Sequence, residues 1–264
     1  MATSNIDQQD SMATVNDSIF EEEETDESAM SLVDHLEELR WRILKSLIAI
    51  VLSGIVAFIF REQIMNFLTL PLPKEQADSL THGKLAVTGL GEGFAVFLKL
   101  SFAVGFLIAL PVILYQVWAF ISPGLYEREK KHAVPFIIVG IVLFLAGIAL
   151  GFIVLQYPVQ WLVNFASSSF APLITADSYF TFTAFFLLAF GIVFEIPLVL
   201  TFLAQIGLVT SQTLRRKRPT AYIGMWVAAT FLTPGADFYS PIILGVAMSC
   251  LYELTIVFIR ITKH

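Results

Sequence analysis

The chain has 264 residues, of which 56% are hydrophobic and only 14% are charged, whereas a water-soluble domain carries about a quarter charged residues. This composition excludes an ordinary soluble globular protein and indicates an integral membrane protein. The net charge of −6 arises in the first 30 residues, which hold nine acids and no Lys or Arg, while the remaining 13 acids are outnumbered by 16 bases.

The acidic N-terminal segment, residues 1–30, is predicted to be a disordered tail. It combines few apolar residues with high charge, which does not permit a packed core. It lacks the basic start and the apolar core of a secretory signal. We therefore expect a solvated leader without a site, followed by one membrane domain over residues 31–264.

The segment "SLVDHLEELRWRILKSL" (31–47) predicts an amphipathic helix that leads into the first membrane span. Ser31 is a good N-cap, and the acids precede the bases, as the helix dipole favours. Its apolar residues recur at helical spacing. Glu37 and Glu38 are then expected at the membrane surface, near Arg40 and Arg42.

Apolar runs of roughly 20 residues are needed to cross the bilayer as helix, and six runs qualify or come close. The run at 220–232 has clear ends but would reach only about 20 Å, so it requires a locally thinned bilayer or protein cover. The fold class is therefore an all-α integral membrane protein with six transmembrane helices, of which the two C-terminal ones are short. The predicted spans are 43–60, 93–120, 133–155, 180–205, 220–232 and 241–259.

The distribution of Lys and Arg over the connecting segments predicts the orientation. Twelve bases fall on one side of the membrane and three, Arg61, Lys74 and Lys84, on the other. Because basic loops stay in the cytoplasm, both termini are expected there. The cytoplasmic bases are Arg40, Arg42, Lys45, Arg128, Lys130, Lys131, Arg215, Arg216, Lys217, Arg218, Arg260 and Lys263.

Motifs for catalysis are missing from the sequence. The four histidines lie in tails or loops, and there is no nucleophile motif, zinc-protease motif or phosphate-binding loop. A single cysteine, Cys250, allows neither a disulfide nor a thiolate metal cluster and is interpreted as a small core residue. We expect no enzyme activity, no metal site and no cofactor.

Charged residues at membrane depth are costly and usually functional, and Glu195 in "FGIVFEIPLV" is the clearest case. No Lys or Arg of its span can neutralise it, and Pro197 removes a backbone donor nearby. Either Glu195 accepts a polar group from another helix, or it is a neutral side chain hydrogen-bonded within its own bundle. Lys99 is expected to snorkel outward, and Glu253 is close enough to the cytoplasmic end to meet a basic loop residue.

Five segments in this order resemble the TatC family, the multi-spanning receptor of the twin-arginine protein translocation system. The long second segment is the specific one, and the resemblance covers about residues 31–260. The segments are "HLEELRWRIL", "LPVILYQVWAFISPGLYEREKK", "FGIVFEIP", "LRRKRP" and "FLTPGADFYS".

The resemblance implies that folded precursor proteins dock their twin-arginine signal peptides on the cytoplasmic face, with transport driven by the proton-motive force. It implies contacts of Glu195 with the single-span partners TatA and TatB, and functional positions at Pro71 and Asp237 in the outer loops. It also implies an assembly with other copies of the chain. The implied signal-binding residues are Glu38, Arg40, Phe120, Pro123, Leu125 and Glu129.

Elementary electrostatics agrees with this assignment of the acids. An arginine binds a carboxylate through two parallel hydrogen bonds, and two adjacent guanidiniums repel each other unless each finds an acceptor. A receptor for paired arginines therefore needs at least two separated carboxylates, and Glu38 and Glu129 come from different cytoplasmic segments.

A second class of function stays open at this point. A small-solute or proton-coupled secondary transporter would use Glu195 as its ion site, although no inverted repeat is visible. Partners are expected to be proteins and membrane lipid, not nucleic acid. The short acid-rich leader favours a bacterial plasma membrane over a thylakoid.

Overall fold

The computed structural model describes residues 32–72, 85–121, 133–167, 173–233 and 237–262, and these residues are almost entirely helical. Residues up to Lys45 belong to one compact unit and residues from Ser46 onward to another. The helices are α1 (Leu32–Ile59), α2 (Arg61–Leu68), α3 (Glu92–Ile121), α4 (Ala133–Val154), α5 (Gln156–Ser167), α6 (Ala176–Phe194), α7 (Ile196–Gln205), α8 (Ser211–Arg216), α9 (Arg218–Leu232) and α10 (Tyr239–Thr262).

Five helical stretches are long and apolar enough to cross a membrane, which confirms the prediction of an all-α membrane protein. They are His35–Ile59, Glu92–Ile121, Val134–Ala166, Ala176–Gln205 and Tyr239–Ile261. Helix α9, at the position of the predicted fifth span, has 15 residues and is therefore only about 22 Å long. It falls below the length of the other five. In the described part of the chain, the sole β-type pairing is an isolated bridge between Ala86 and Thr175.

The backbones of α4 and α6 touch along a seam of glycines, which we call the glycine seam (Gly147, Gly151 and Gly191). A Cβ at Gly147 would lie 2.6 Å from the carbonyl oxygen of Phe190, and a Cβ at Gly191 would lie 2.7 Å from the Phe144 ring. Small residues allow this close approach. In lipid the hydrophobic effect does not drive helices together, so van der Waals packing of closely spaced backbones stabilises the pair instead. The seam places α6, and with it Glu195, against the middle of α4.

Replacing Gly147 with alanine is expected to lower the unfolding temperature of the detergent-purified protein. The new methyl group would collide with backbone, which cannot rotate away, and overpacking of this kind costs about 1–3 kcal/mol. Gly224→Ala is the matched control, because a Cβ at Gly224 meets nothing within 4 Å. An equal change in the two variants, measured by thermal unfolding, would contradict a tight seam.

The first turns of α6 and the N-terminal part of α3 are held together by polar contacts. Lys99 donates to a carboxylate oxygen of Asp177 at 2.5 Å and contacts the Thr181 hydroxyl at 3.3 Å. Lys99 therefore forms an ion pair with Asp177, and about half of its side chain is exposed. The hydroxyl of Tyr179 donates to the carbonyl oxygen of Leu68 at 2.7 Å, which fixes the end of α2 to the start of α6.

Cys250 is exposed, so its interpretation as a core residue is wrong. In lipid the outer surface of a helix is as apolar as its inner surface. An apolar run therefore does not reveal which of its residues face inward. Helix α3 continues through Pro111, as is common for proline in membrane helices.

Candidate functional site

Glu195 lies at the break between α6 and α7, inside one continuous apolar stretch. Its backbone N–H bonds to the carbonyl oxygen of Ile192 at 3.1 Å, three residues back, instead of four. Pro197 occupies the first turn of α7, where its missing donor is tolerated. The chain thus ends one helix and starts the next at the acid that the sequence analysis singled out.

The carboxyl group of Glu195 is buried and has no hydrogen-bond partner among the described residues. Neither of its oxygens is exposed, and neither bonds to a group in that part of the chain. A Cβ at Gly140 would lie 3.4 Å from Oε2, and also 2.7 Å from a methyl group of Leu114 and 3.0 Å from one of Leu198. The carboxyl group therefore lies against α4 at Gly140, where an added Cβ would crowd Leu114 and Leu198 and would meet Oε2 at an ordinary contact distance.

This arrangement disfavours the alternative in which Glu195 is hydrogen-bonded within its own bundle, because no described residue supplies a donor. Leaving a polar group unpaired in an apolar medium costs several kcal/mol by transfer scales, so the site is poised to gain from a donor. No local pattern in the sequence points to Gly140, because its role depends on which side chain of another helix lies against it.

An apolar groove of about 440 Å³ opens beside this break, near the end of the bundle where α3 ends and α4 begins. Trp118, Phe136 and Phe202 form its aromatic wall, with ring centroids 4.8–6.0 Å apart. Helices α3, α4, α7 and α10 all contribute to it. The lining residues are Trp118, Pro135, Phe136, Val139, Leu143, Pro197, Leu198, Thr201, Phe202, Gln205, Leu251, Leu254, Thr255 and Phe258. We call it the four-helix groove.

Glu38, in the part of α1 that belongs to the first compact unit, already has partners. Arg42, one turn further on, donates from Nε at 2.9 Å and also from Nη2. His35 Nδ1 lies 3.6 Å from the other carboxylate oxygen. Both Glu38 and Arg42 keep about a fifth of their side-chain surface exposed. The acid was expected near Arg40 and Arg42, and Arg42 is the one that it meets.

The other residues predicted to bind the signal are only partly within the described ranges. Arg40 is exposed on α1. Phe120 is half-buried in the last turn of α3. Pro123, Leu125 and Glu129 fall in residues 122–132, outside the described residues.

Asp237 lies two residues before the last helix, α10. It is 5% exposed, and its Oδ1 accepts a hydrogen bond from the backbone N–H of Ser240 at 2.7 Å. An aspartate three residues before the bonded N–H is an N-cap, which satisfies one of the free donors of the first turn. The structure thus gives Asp237 a structural role in α10. Pro71 follows α2 in a turn closed by the Leu72 N–H on the carbonyl oxygen of Thr69 at 3.0 Å.

Replacement of Asp237 by alanine is expected to destabilise the protein by about 1 kcal/mol, the usual loss for an N-cap. Asp237→Ser, which keeps a capping oxygen, should recover most of this stability. Chemical unfolding of the two variants in detergent measures the difference. If serine and alanine are equally destabilising, capping is not what Asp237 contributes.

Glu253 is paired with Arg218 and also accepts a hydrogen bond from the Tyr222 hydroxyl at 2.5 Å. Glu253 therefore meets a basic residue at the start of α9, which the sequence left open as a possibility. The contact joins α9 to α10. It also distinguishes the two acids. Glu253 is paired with Arg218 and Tyr222, whereas the Glu195 carboxyl group has no partner among the described residues.

Comparisons with known proteins agree with the geometry. The family model described as "Sec-independent protein translocase protein (TatC)" matches residues 34–246. The chain is 36% identical over 237 residues to the TatC protein of Desulforapulum autotrophicum, covering 89% of this chain and 86% of that protein. It is 34% identical over 235 residues to TatC of Escherichia coli K12, covering 89% and 90%.

A solved structure, described as the twin arginine translocase receptor TatC, superimposes with a TM-score of 0.71 at 32% identity. It covers 87% of this chain and 100% of that chain. A second crystal structure of this receptor, in the detergent DDM, gives a TM-score of 0.72 over 85% of this chain and 99% of that chain. The matched region includes both the break at Glu195 and the seam that supports it, and the chain belongs to the TatC family of Sec-independent protein translocases.

Proposed function

We propose that this chain is the receptor and core subunit of a twin-arginine translocase. It binds the signal peptides of folded precursor proteins at the cytoplasmic face and recruits TatA and TatB for transport driven by the proton-motive force. The observation that carries the proposal is the carboxyl group of Glu195, buried without a partner beside the four-helix groove. A buried carboxyl group without a partner destabilises a bundle, so its presence supports a role other than stability.

Glu195 receives the partner helix in this proposal. A single-span protein with a polar side chain at membrane depth would donate to the carboxyl group, whose cost of burial is then offset. The break between α6 and α7 supports this role because Pro197 prevents an uninterrupted hydrogen-bond ladder there. The apolar side chains of the four-helix groove would bury the rest of the incoming segment.

The paired arginines of a signal peptide are bound by Glu38 and Glu129, with Arg40, Phe120, Pro123 and Leu125 shaping the surface. The Glu38–Arg42 pair is no obstacle, because a partly exposed pair one helical turn apart contributes about 0.2–0.5 kcal/mol. A charge-assisted hydrogen bond contributes about 1.5–3 kcal/mol. A guanidinium of the signal peptide is therefore expected to displace Arg42 from the Glu38 carboxylate.

The proposed topology has six spans, with both termini in the cytoplasm of a bacterium and the chain in its plasma membrane. Helix α9 is the fifth span. Its length of about 22 Å, against a hydrocarbon core of about 30 Å, requires a thinner bilayer next to it. The basic residues at the start of α9 and on α8 support the orientation. Further copies of the chain complete the assembly.

Co-purification of the tagged full-length chain from membranes tests the proposal. A twin-arginine precursor and small single-span proteins should elute together with it. The matched control is the same precursor with both arginines replaced by lysine, which should be lost because lysine makes no bidentate contact. Equal recovery of the two precursors would contradict arginine recognition. Glu195-dependent uptake of a small solute by liposomes that contain only this chain would favour a transporter instead.

A further inference from the structure

A second groove, of about 290 Å³, lies between α1 and α3 and shares no lining residue with the four-helix groove. We call it the flank groove. Its lining is apolar except for one hydroxyl. The lining residues are Val51, Gly54, Ile55, Phe58, Phe94, Leu98, Ser101 and Phe102. No part of the proposed signal or partner site uses them.

Small residues form the inner end of the flank groove and aromatic residues its outer end. At the inner end α1 and α3 touch, because a Cβ at Gly105 would lie 2.6 Å from the backbone nitrogen of Gly54. At the outer end Phe58 and Phe94 meet edge to face, with centroids 6.3 Å apart. Eight residues of α1, from Val51 to Phe58, run along it, which is about 10 Å. This is most of one leaflet's share of the hydrocarbon core, about 15 Å.

A guanidinium stands at the aromatic end of the flank groove. The Cζ atom of Arg61 lies 5.0 Å from the centroid of the Phe58 ring and 5.6 Å from that of Phe97. Its Nη1 donates to the carbonyl oxygen of Phe58 at 3.3 Å. No carboxylate of the described residues lies within ion-pair distance of it. Of five N–H donors, this single contact leaves most without an acceptor among the described residues.

The placement of Arg61 is itself informative. It follows the first span at the end opposite to Arg40, Arg42 and Lys45, where the positive-inside rule disfavours a base. An apolar channel along one leaflet, ending at a guanidinium with free donors, matches an amphiphile with an anionic head. In a membrane the abundant molecule of that chemistry is a phospholipid, whose phosphate accepts bidentate hydrogen bonds from arginine.

We propose that the flank groove holds one acyl chain of a phospholipid whose phosphate is bound by Arg61. The cation–π contacts of Arg61 with Phe58 and Phe97 hold the guanidinium at the level of the head groups. The acyl chain lies along the groove beside the contact of α1 with α3 at Gly54 and Ser101. The lipid also offsets the missing acceptors of Arg61. This inference does not depend on the transport function.

Native mass spectrometry of the full-length protein, released from detergent micelles with phosphatidylglycerol added, tests the proposal. The wild-type chain should retain one phospholipid. Arg61→Gln should reduce its retention about 10-fold or more, the effect of losing a charge-assisted hydrogen bond. Arg61→Lys should keep most of it, because lysine still binds phosphate as a point charge. Leu98→Trp, which fills the flank groove, should abolish retention.

Matched controls separate this site from general lipid contact. Arg260→Gln removes an exposed base elsewhere, and Val142→Trp enlarges another exposed apolar side chain; neither should change retention. A phospholipid with a photoreactive acyl chain should label residues 51–58 and 94–102 above all others. Equal retention in Arg61→Gln and wild type, or labelling spread evenly over the exposed apolar surface, would overturn the proposal. Labelling displaced by a single-span protein would assign the flank groove to a partner helix and overturn it as well.

Discussion

Glu195→Ala is expected to lose the contact with the partner helix, and transport with it, while the chain still inserts and still binds signal peptides. Alanine removes both buried acceptor oxygens without touching any residue proposed to bind the signal. A hydrogen bond to a charged group contributes about 1.5–3 kcal/mol, so partner affinity should fall roughly 10- to 150-fold. Site-specific cross-linking between position 198 and a TatA-like helix measures this loss.

Two further variants make the Glu195 result interpretable. Glu195→Gln keeps an acceptor in the same space and should retain part of the cross-linking. Glu62→Ala removes an exposed acid of α2 and should change nothing. Wild-type cross-linking in Glu195→Ala would show that the partner helix does not depend on this carboxyl group. Loss of signal binding in the same variant would show a collapsed bundle rather than a lost contact.

Glu38→Gln and Glu129→Ala are each expected to weaken the binding of a twin-arginine signal peptide roughly 10- to 150-fold, because each removes a charge-assisted acceptor. Arg42→Gln should behave oppositely. It releases Glu38 from a pair that contributes about 0.2–0.5 kcal/mol, so affinity should stay the same or rise up to about twofold. Fluorescence titration of the purified protein with a labelled signal peptide measures all three.

The exposed acid next to Glu38 supplies the control for this series. Glu37 lies on the same helix but makes no ion pair among the described residues, so Glu37→Gln should bind like wild type. If Arg42→Gln lowered the affinity for the signal peptide as much as Glu38→Gln does, the Glu38–Arg42 pair would be needed for the structure of the helix, and Glu38 would not be an acceptor that the ligand takes over. Equal effects of Glu37→Gln and Glu38→Gln would reduce the role of Glu38 to general negative charge.

The sequence predicted the features that depend on neighbours along the chain. The apolar runs, the cost of a lone acid in one of them, and the proline two residues later were enough to locate Glu195 and the break at it. The pairing of Glu253 also followed from its distance to the helix end. Each of these needs only helical geometry and the membrane thickness.

Features that depend on which helices touch were not predictable in this way. The four-helix groove joins residues from Trp118 to Phe258, and no local pattern shows that they share a wall. Gly140 reads as one more apolar residue until Glu195 is placed against it. The partner of Lys99, Asp177, lies 78 residues further along the chain. Cys250 was assigned wrongly for the same reason, since apolar residues face both lipid and protein.

The glycine seam limits how α4 and α6 can move. Between two helices whose backbones touch there is no layer of flexible side chains that would let one slide past the other. We therefore expect α4 and α6 to move together as one rigid unit. A bundle braced in this manner cannot dilate to let a folded cargo through its own middle. In the proposed function, the opening for a folded cargo is therefore expected beside α4 and α6 and not between them.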